Sequence, residues 1–256
     1  MKKIVVGIFV ICFSISAYCQ TSIPESSPDQ VIFAFGGDIN KVFIKYTAAL
    51  TNLPKPKVCY VPTASADNVY NINFWYDACH DLPLEPYVLR AWPSSGDDRQ
   101  SFEEILTGMD AIIVGGGNTL NMMAIWKAQG IDTVLQKCLK KGIILAGGSA
   151  GSICWFINGV SDSRPKELSM VDGLAFLPFS SCPHYSEWEL RKNLYQEKIL
   201  SGTISPGYAC DYYAGILFRN GTYIKAVSLS EKNNSWLISA QNGKIVEKKL
   251  KSEIVK

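Results

Sequence analysis

The chain has 256 residues, of which 47% are hydrophobic, and 25 Lys and Arg side chains nearly balance 23 Asp and Glu side chains. A nucleic-acid-binding surface needs clustered basic side chains, and the one basic run, Lys248–Lys251, is short. The composition therefore argues against a nucleic-acid partner and fits one α/β domain with a sizeable core.

The N-terminus has the layout of a secretory signal peptide. Two lysines precede an apolar run from Ile4 to Ile15, and the small-residue sequence Ser16–Cys19 follows. We predict a signal peptide over residues 1–19, a secreted or periplasmic protein, and a single domain over residues 20–256. The apolar run is shorter than the about 20 residues of a membrane span, so we expect no stable membrane insertion. Bulky Tyr18 makes lipidation of the next cysteine the weaker interpretation.

Along the rest of the chain, short apolar runs alternate with helical patterns. The predicted strands are 31–35, 57–61, 87–89, 111–114 and 143–146, and the predicted helices are 39–50, 69–80, 101–107, 119–128 and 131–141. The strands 111–114 and 143–146 lack polar alternation, as expected in a parallel sheet that helices cover on both faces. We therefore predict an α/β three-layer sandwich with a mostly parallel central sheet.

After about residue 215 the pattern changes. Brief runs at 215–218, 223–228, 235–239 and 244–246 are separated by Asn-Gly or Asn-Asn dipeptides. Asn-Gly is typical of tight turns between antiparallel strands, so we predict C-terminal antiparallel hairpins.

A glycine-flanked serine follows the predicted strand 143–146. The sequence Gly147-Gly148-Ser149-Ala150-Gly151 has the G-x-S-x-G pattern of a nucleophile elbow. A serine on a sharp strand-to-helix turn needs small neighbours two residues before and after it, so that the backbone packs closely while the hydroxyl stays exposed. Ser149 is the first candidate for a catalytic atom, and an ordinary β-to-α turn is the alternative.

The loop after strand 111–114 contains three glycines. In Gly115–Thr119 the glycines let backbone amides turn inward, and Asn118 can cap the next helix. The loop matches neither common phosphate-binding glycine motif. An oxyanion hole fits better, with one N–H from this loop and one from Ala150, and a plain glycine-rich turn stays open.

A serine nucleophile needs a base, and the chain has two histidines. His80 follows a predicted helix and is assigned a structural role, whereas His184 follows a proline in a loop-rich stretch and is the better base. Asp211, among apolar and aromatic neighbours, is the candidate carboxylate that orients the imidazole. Four other acidic residues are rivals: Asp162, Asp172, Glu187 and Glu189.

Six cysteines lie beyond the predicted signal peptide, at Cys59, Cys79, Cys138, Cys154, Cys182 and Cys210. They show no C-x-x-C spacing, so a zinc ribbon or a thioredoxin-like site has no support. Disulfides and buried free thiols both stay open.

Four motifs in this order resemble the dipeptidase E (aspartyl dipeptidase) and cyanophycinase family of serine peptidases. They are Gly115–Thr119, Gly148–Gly151, Pro183–Tyr185 and the acid before the last strands, and the likeness extends over roughly residues 30–220. The resemblance implies a fold related to class I glutamine amidotransferases and a catalytic site without cofactor or metal. It assigns Ser149 as nucleophile, His184 as base, Asp211 as the acidic third residue, and Gly117 and Ala150 as oxyanion donors.

The resemblance also implies how a substrate is held. Arg191 is the nearest counterpart of an arginine that holds a substrate carboxylate, with a solvent-facing helix arginine as the alternative. Asn118 and Tyr185 are further expected substrate contacts. The implied activity is cleavage of a peptide or isopeptide bond in a small peptide, with an acidic residue as a candidate feature of the substrate. Cyanophycinase-like cleavage of β-aspartyl bonds, a catalytically silent small-ligand-binding protein and a homodimer are left open.

Overall fold

A computed structural model of the chain describes residues 28–92 and 100–256, and the predicted signal peptide lies outside them. The strands are β1 (Val31–Phe35), β2 (Lys57–Val61), β3 (Glu85–Val88), β4 (Ala111–Val114), β5 (Ile144–Gly148), β6 (Phe156–Arg164), β7 (Glu167–Asp172), β8 (Leu177–Pro183), β9 (Gly207–Cys210), β10 (Ala214–Arg219), β11 (Thr222–Ser228), β12 (Ser235–Gln241), β13 (Lys244–Leu250) and β14 (Ser252–Ile254). The helices are α1 (Lys41–Ala49), α2 (Val69–Cys79), α3 (Phe102–Thr107), α4 (Thr119–Gln129), α5 (Ile131–Lys140), α6 (Ala150–Ile153) and α7 (Glu189–Leu200).

An eight-stranded central sheet has the order β14-β11-β10-β1-β5-β4-β2-β3. The five strands from β1 to β3 in this order pair in parallel, and β10 pairs antiparallel with both β1 and β11. The predicted α/β fold with a mostly parallel central sheet is confirmed. Carboxyl ends of parallel strands gather at one edge, so loops after β1, β4 and β5 meet there.

Helices cover both faces of the parallel strands. Along β4, Ile112 and Val114 face a core shared with α3 to α6, whereas Ile113 faces a second core shared with α1 and α2. Both sets are fully buried, which explains the apolar run without alternation. The predicted strands and helices before residue 147 are all present, with ends shifted by at most two residues.

A second, six-stranded sheet has the order β13-β12-β9-β8-β6-β7. It shares a core with the central sheet through side chains such as Phe156 and Leu177, and α7 packs on it through Tyr195 and Ile199. The sequence predicted no strand in this part of the chain before residue 215. Its strands are interrupted by proline, glycine, serine and asparagine, as in the β8 sequence LPFSSCP, and therefore lack a clear alternating pattern.

Two of the predicted hairpins are confirmed. Asn220-Gly221 joins β10 to β11 and Asn242-Gly243 joins β12 to β13, with positive φ at all four turn residues, as two-residue hairpins favour. The Asn233-Asn234 dipeptide does not close a hairpin, because β11 and β12 belong to different sheets.

Within the described ranges, the helices are too short or too polar to cross a membrane.

Candidate active site

Ser149 lies on a sharp turn between β5 and α6. Its backbone has φ 52° and ψ −113°, a conformation that a non-glycine residue rarely adopts and that is common at functional sites. A Cβ on Gly147 would collide with the Gly151 carbonyl, and one on Gly151 with the Val114 carbonyl. The glycines on either side of the serine are therefore needed for close packing, and the local structure is the strand–turn–helix of a nucleophile elbow.

The imidazole of His184 lies beside this hydroxyl. His184 Nε2 is 2.9 Å from Ser149 Oγ, within hydrogen-bond reach of a general base. His184 directly follows β8 of the second sheet, whereas Ser149 directly follows β5 of the central sheet. The structure thus brings together two residues that are 35 positions apart in the chain.

The electrostatics of the cleft favour a neutral imidazole. Partial burial lowers the pKa of His184 from its ordinary value of 6.5, and the positive charge of Arg191 lowers it further. The carboxylates of Asp38 and Asp162 oppose these effects by raising the pKa of the same ring. A neutral imidazole can accept the proton of the serine hydroxyl.

Asp211 is buried beneath the loop that carries the histidine. One carboxylate oxygen accepts a hydrogen bond from the Ser186 amide (3.1 Å), and the other accepts one from the Asn234 amide (2.7 Å). No hydrogen bond joins Asp211 to the imidazole of His184 in the described part of the chain. Its contacts hold the backbone two residues beyond the histidine, and its assignment as the residue that orients the ring stays a prediction.

Two backbone N–H groups are the predicted oxyanion donors, one in the glycine loop after β4 and one directly after Ser149. The N–H groups of Gly117 and Ala150 donate no hydrogen bond to any described residue. Gly117 has φ +135°, and a Cβ there would collide with the Ala64 carbonyl, so this position requires glycine. These N–H groups are available to an oxyanion, and their assignment as its donors stays a prediction.

Asn118 has the predicted role of helix cap. Its Oδ1 accepts from the Asn121 amide (2.9 Å) at the start of α4, and its Nδ2 donates to the Ser163 carbonyl (3.0 Å). The side chain borders the cleft. Both ends of its amide are already engaged, and contact with a substrate stays a prediction.

Arg191 is buried at the wall of the cleft and is not a solvent-facing helix arginine. It donates to Asp162 Oδ1 (2.9 Å) and to the Val160 carbonyl (3.3 Å), and Trp188 covers its guanidinium at 4.7 Å. Its Nε is buried without a partner in the described chain. Asp162, one of the rival acidic residues, lies on β6.

The prediction that Tyr185 contacts the substrate is wrong. Its side chain is fully buried in the core between the second sheet and α7, where it packs against Tyr195 and Trp236. Its hydroxyl accepts from Gln196 Nε2 at 2.8 Å. His184 has a left-handed backbone with φ 55°, and Tyr185 lies in the turn that follows it, where the side chain enters this core and not the cleft.

The serine and histidine open into a cleft of about 690 Å³. It is lined by Asp38, Ser65, Asn71, Gly116, Gly117, Asn118, Ser149, Asp162, Ser163, His184, Glu187, Trp188 and Arg191. The sequence analysis did not identify Asp38 as a site residue. Asp38 follows β1, at the same edge of the sheet as the loops after β4 and β5. Glu187, another rival acidic residue, precedes α7, and its carboxylate accepts a hydrogen bond from the Tyr212 amide (2.9 Å).

Sequence relatives are peptidases. The chain is 36% identical to the uncharacterized peptidase YgaJ of Bacillus subtilis (strain 168) over 193 residues, which are 75% of this chain and 82% of that protein. It is 25% identical over 145 residues to peptidase E of Nostoc sp. (strain PCC 7120), covering 51% of this chain and 52% of that one.

Solved structures share the fold. A peptidase from an acI-B1 Actinobacterium matches with a TM-score of 0.68 and 16% identity over 88% of this chain and 96% of that one. A candidate peptidase E from Listeria monocytogenes EGD-e matches with a TM-score of 0.59 and 20% identity over 79% of this chain and all of that one. The model of peptidase family S51 matches residues 34–226, which include the elbow, the glycine loop and the histidine. The chain therefore belongs to peptidase family S51.

Proposed function

We propose that the protein is a serine-type exopeptidase that cleaves small peptides through an acyl-enzyme on Ser149. The observation that carries this proposal is the 2.9 Å approach of His184 Nε2 to Ser149 Oγ on a strained elbow. A catalytically silent scaffold would have no need for this strain and this alignment, which disfavours the silent-binding alternative.

The proposed reaction uses His184 as the base and the Gly117 and Ala150 amides as the oxyanion donors. His184 takes the proton from Ser149 Oγ as the oxygen attacks the substrate carbonyl, and the free N–H groups of Gly117 and Ala150 stabilise the oxyanion. The protonated imidazole then gives its proton to the leaving amine. Water hydrolyses the acyl-enzyme with His184 again as base, which restores the serine. In this scheme Asp211 acts on the imidazole through the loop that it anchors.

A substrate panel with a matched inactive variant tests the reaction. The wild type is expected to hydrolyse at least one member of a set of α-aspartyl, β-aspartyl and neutral dipeptides, and Ser149→Ala to lose at least about 10³-fold in kcat with an unchanged melting temperature. Equal turnover by both proteins would refute the proposal. The preferred linkage also decides between α-peptide and β-aspartyl cleavage.

Arg191 is the candidate for selecting an acidic residue. It is the cation in the lining of the cleft, although Asp162 already pairs with it. Arg191→Met is expected to reduce kcat/KM more for aspartyl than for neutral dipeptides. Lys192→Met, on the same helix outside the cleft, is the control. An equal loss for both substrate classes would remove the acidic preference from the proposal.

A further inference from the structure

A smaller pocket of about 290 Å³ opens beside the cleft. It is lined by Asp38, Ile39, Tyr60, Asn71, Phe74, Gly116 and Tyr212, and we call it the side pocket. Asp38, Asn71 and Gly116 also line the main cleft. A ligand that reacts at Ser149 can therefore extend into the side pocket.

The carboxylate of Asp38 lies close to the nucleophile. A Cβ on Gly116 would be 2.5 Å from Asp38 Oδ1 and 3.3 Å from Ser149 Cβ, so both side chains lie close to this glycine and to each other. Tyr212 donates its hydroxyl to Asp38 Oδ2 at 3.1 Å. Asp38 has no cationic partner within the described residues, and it lines both the cleft and the side pocket.

Aromatic side chains form the walls of the side pocket. Tyr60 is only 1% exposed and stacks on Trp75 at 5.4 Å, while Phe74 and Tyr212 contribute two more rings. The Tyr60 hydroxyl lies against Gly115, at the lining of the side pocket, and it makes no hydrogen bond to a described residue. Aromatic faces attract cations, so the accessible rings of Phe74 and Tyr212 would add to the attraction of the Asp38 carboxylate.

The charges around the cleft also favour a cation. The positive charge of Arg191 is balanced by its ion-pair partner Asp162, so this pair adds no net charge to the cleft. Asp38 and Glu187 have no such partner in the described chain, and both are hydrogen-bonded to Tyr212. The region between the serine and the side pocket therefore carries excess negative charge.

We propose that the side pocket binds a cationic amine group of the substrate, with Asp38 as its ion-pair partner and Tyr60, Phe74 and Tyr212 as its walls. This inference rests on the proposed peptidase function for the identity of the ligand as a small peptide. Two parts of such a peptide carry a cationic amine: the free α-amino group of the acyl half and a basic side chain of the leaving half.

Binding to the inactive Ser149→Ala protein separates the two sources. Calorimetry would compare Asp-Leu, N-acetyl-Asp-Leu, Asp-Lys and N-acetyl-Asp-Lys. Loss of affinity on acetylation identifies the α-amino group, and tighter binding of the lysine peptides identifies the leaving side chain. When Asp38→Asn is added to Ser149→Ala, the affinity for the preferred peptides is expected to fall by about 10-fold or more. The difference in affinity between peptides with and without the recognised amine is expected to disappear.

Two further variants control for the fold and for general charge. Phe74→Leu, at a half-exposed position, should lower the affinity for the amine-bearing peptides by about 3-fold, because one aromatic ring face is lost. Asp77→Asn removes an exposed carboxylate from the same helix, α2, outside the side pocket and should change nothing. Equal affinity of all four peptides, or binding of none of them, overturns the inference.

Hydrolysis by the wild type distinguishes this inference from the proposed function. Binding that depends on Asp38 and the amine, without any hydrolysis, would support the side pocket and refute the peptidase proposal. Hydrolysis without an amine preference would refute the side pocket alone.

Discussion

At the scale of single residues, the protonation state of His184 controls the proposed chemistry. Partial burial and the charge of Arg191 lower its pKa, so the neutral form that can act as a base persists to a lower pH than for an exposed histidine. We expect kcat/KM to rise with pH through a midpoint below 6.5 and then to level off. A pH profile on the best dipeptide measures this, and a midpoint above 6.5 would contradict the burial argument.

Asp38 gives a second readout of the same midpoint. Its carboxylate raises the pKa of His184, so Asp38→Asn is expected to move the midpoint to lower pH. Asp77→Asn should leave the midpoint unchanged, because its carboxylate is outside the cleft. A midpoint that stays in place in both variants would show that Asp38 exerts no field at the imidazole.

The identities of the reacting residues could be read from the sequence, but some of their contacts could not. The G-x-S-x-G pattern selected Ser149 because the elbow needs two close glycines, and the Pro-His pair after an unrecognised strand selected His184. The contacts of Asp211 with two backbone amides depend on where β9 and the 233–234 turn lie, which no local pattern reveals. The same holds for Arg191, whose burial depends on β6.

At the scale of elements, the carboxylate of Asp211 ties the end of β8 to the loop before β12. Asp211→Asn would leave one of its two backbone donors facing an NH₂ group, at a cost of about 1–3 kcal/mol. We expect a melting temperature lower by several degrees together with a partial loss of kcat. If Asp211 acted only on the imidazole, the result would be a loss near 10⁴-fold in kcat with an unchanged melt.

The elbow gives a prediction about packing. A Cβ on Gly147 would be 2.1 Å from the Gly151 carbonyl oxygen, so in Gly147→Ala β5 and α6 must move apart. We expect a strongly destabilised protein with little activity. Gly108→Ala is the control, since its φ is −89° and a Cβ there would be 3.3 Å from its nearest neighbour. A Gly147→Ala protein with native stability would show that the close approach is not required.

Most elements in the first half of the chain were predictable because the strands other than β3 are largely buried apolar runs and four of the five helices begin at a capping side chain. Asn40, Ser101 and Asn118 cap α1, α3 and α4 through their side chains. Strands β6 to β9 of the second sheet were missed because they are stabilised by pairing and by α7 more than by their own pattern. It nevertheless supplies His184, so the site cannot be assembled from the predicted elements alone.

At the scale of the whole molecule, the six cysteines of the described chain are buried and free. Burial raises the thiol pKa of Cys59 and Cys210 to about 12, so these thiols are poor nucleophiles in the folded protein. We expect maleimide to label none of the six in the native state and all of them after unfolding, by peptide mass mapping. Native labelling, or a disulfide between any two, would contradict this prediction.

The signal peptide and the secreted or periplasmic location remain predictions from the first 19 residues. Expression of the full chain with N-terminal sequencing of the product tests them. Cleavage after Cys19 is expected. A product that retains the leader would contradict the predicted export.

The central claim is that Ser149 is an acyl acceptor activated by His184. A fluorophosphonate reacts with a serine only when a neighbouring base activates it, so intact-mass spectrometry with peptide mapping measures the claim directly. We predict one adduct on Ser149 in the wild type and none in Ser149→Ala or His184→Ala. An unmodified Ser149 in a protein that hydrolyses dipeptides, or an adduct that persists without His184, would contradict the account.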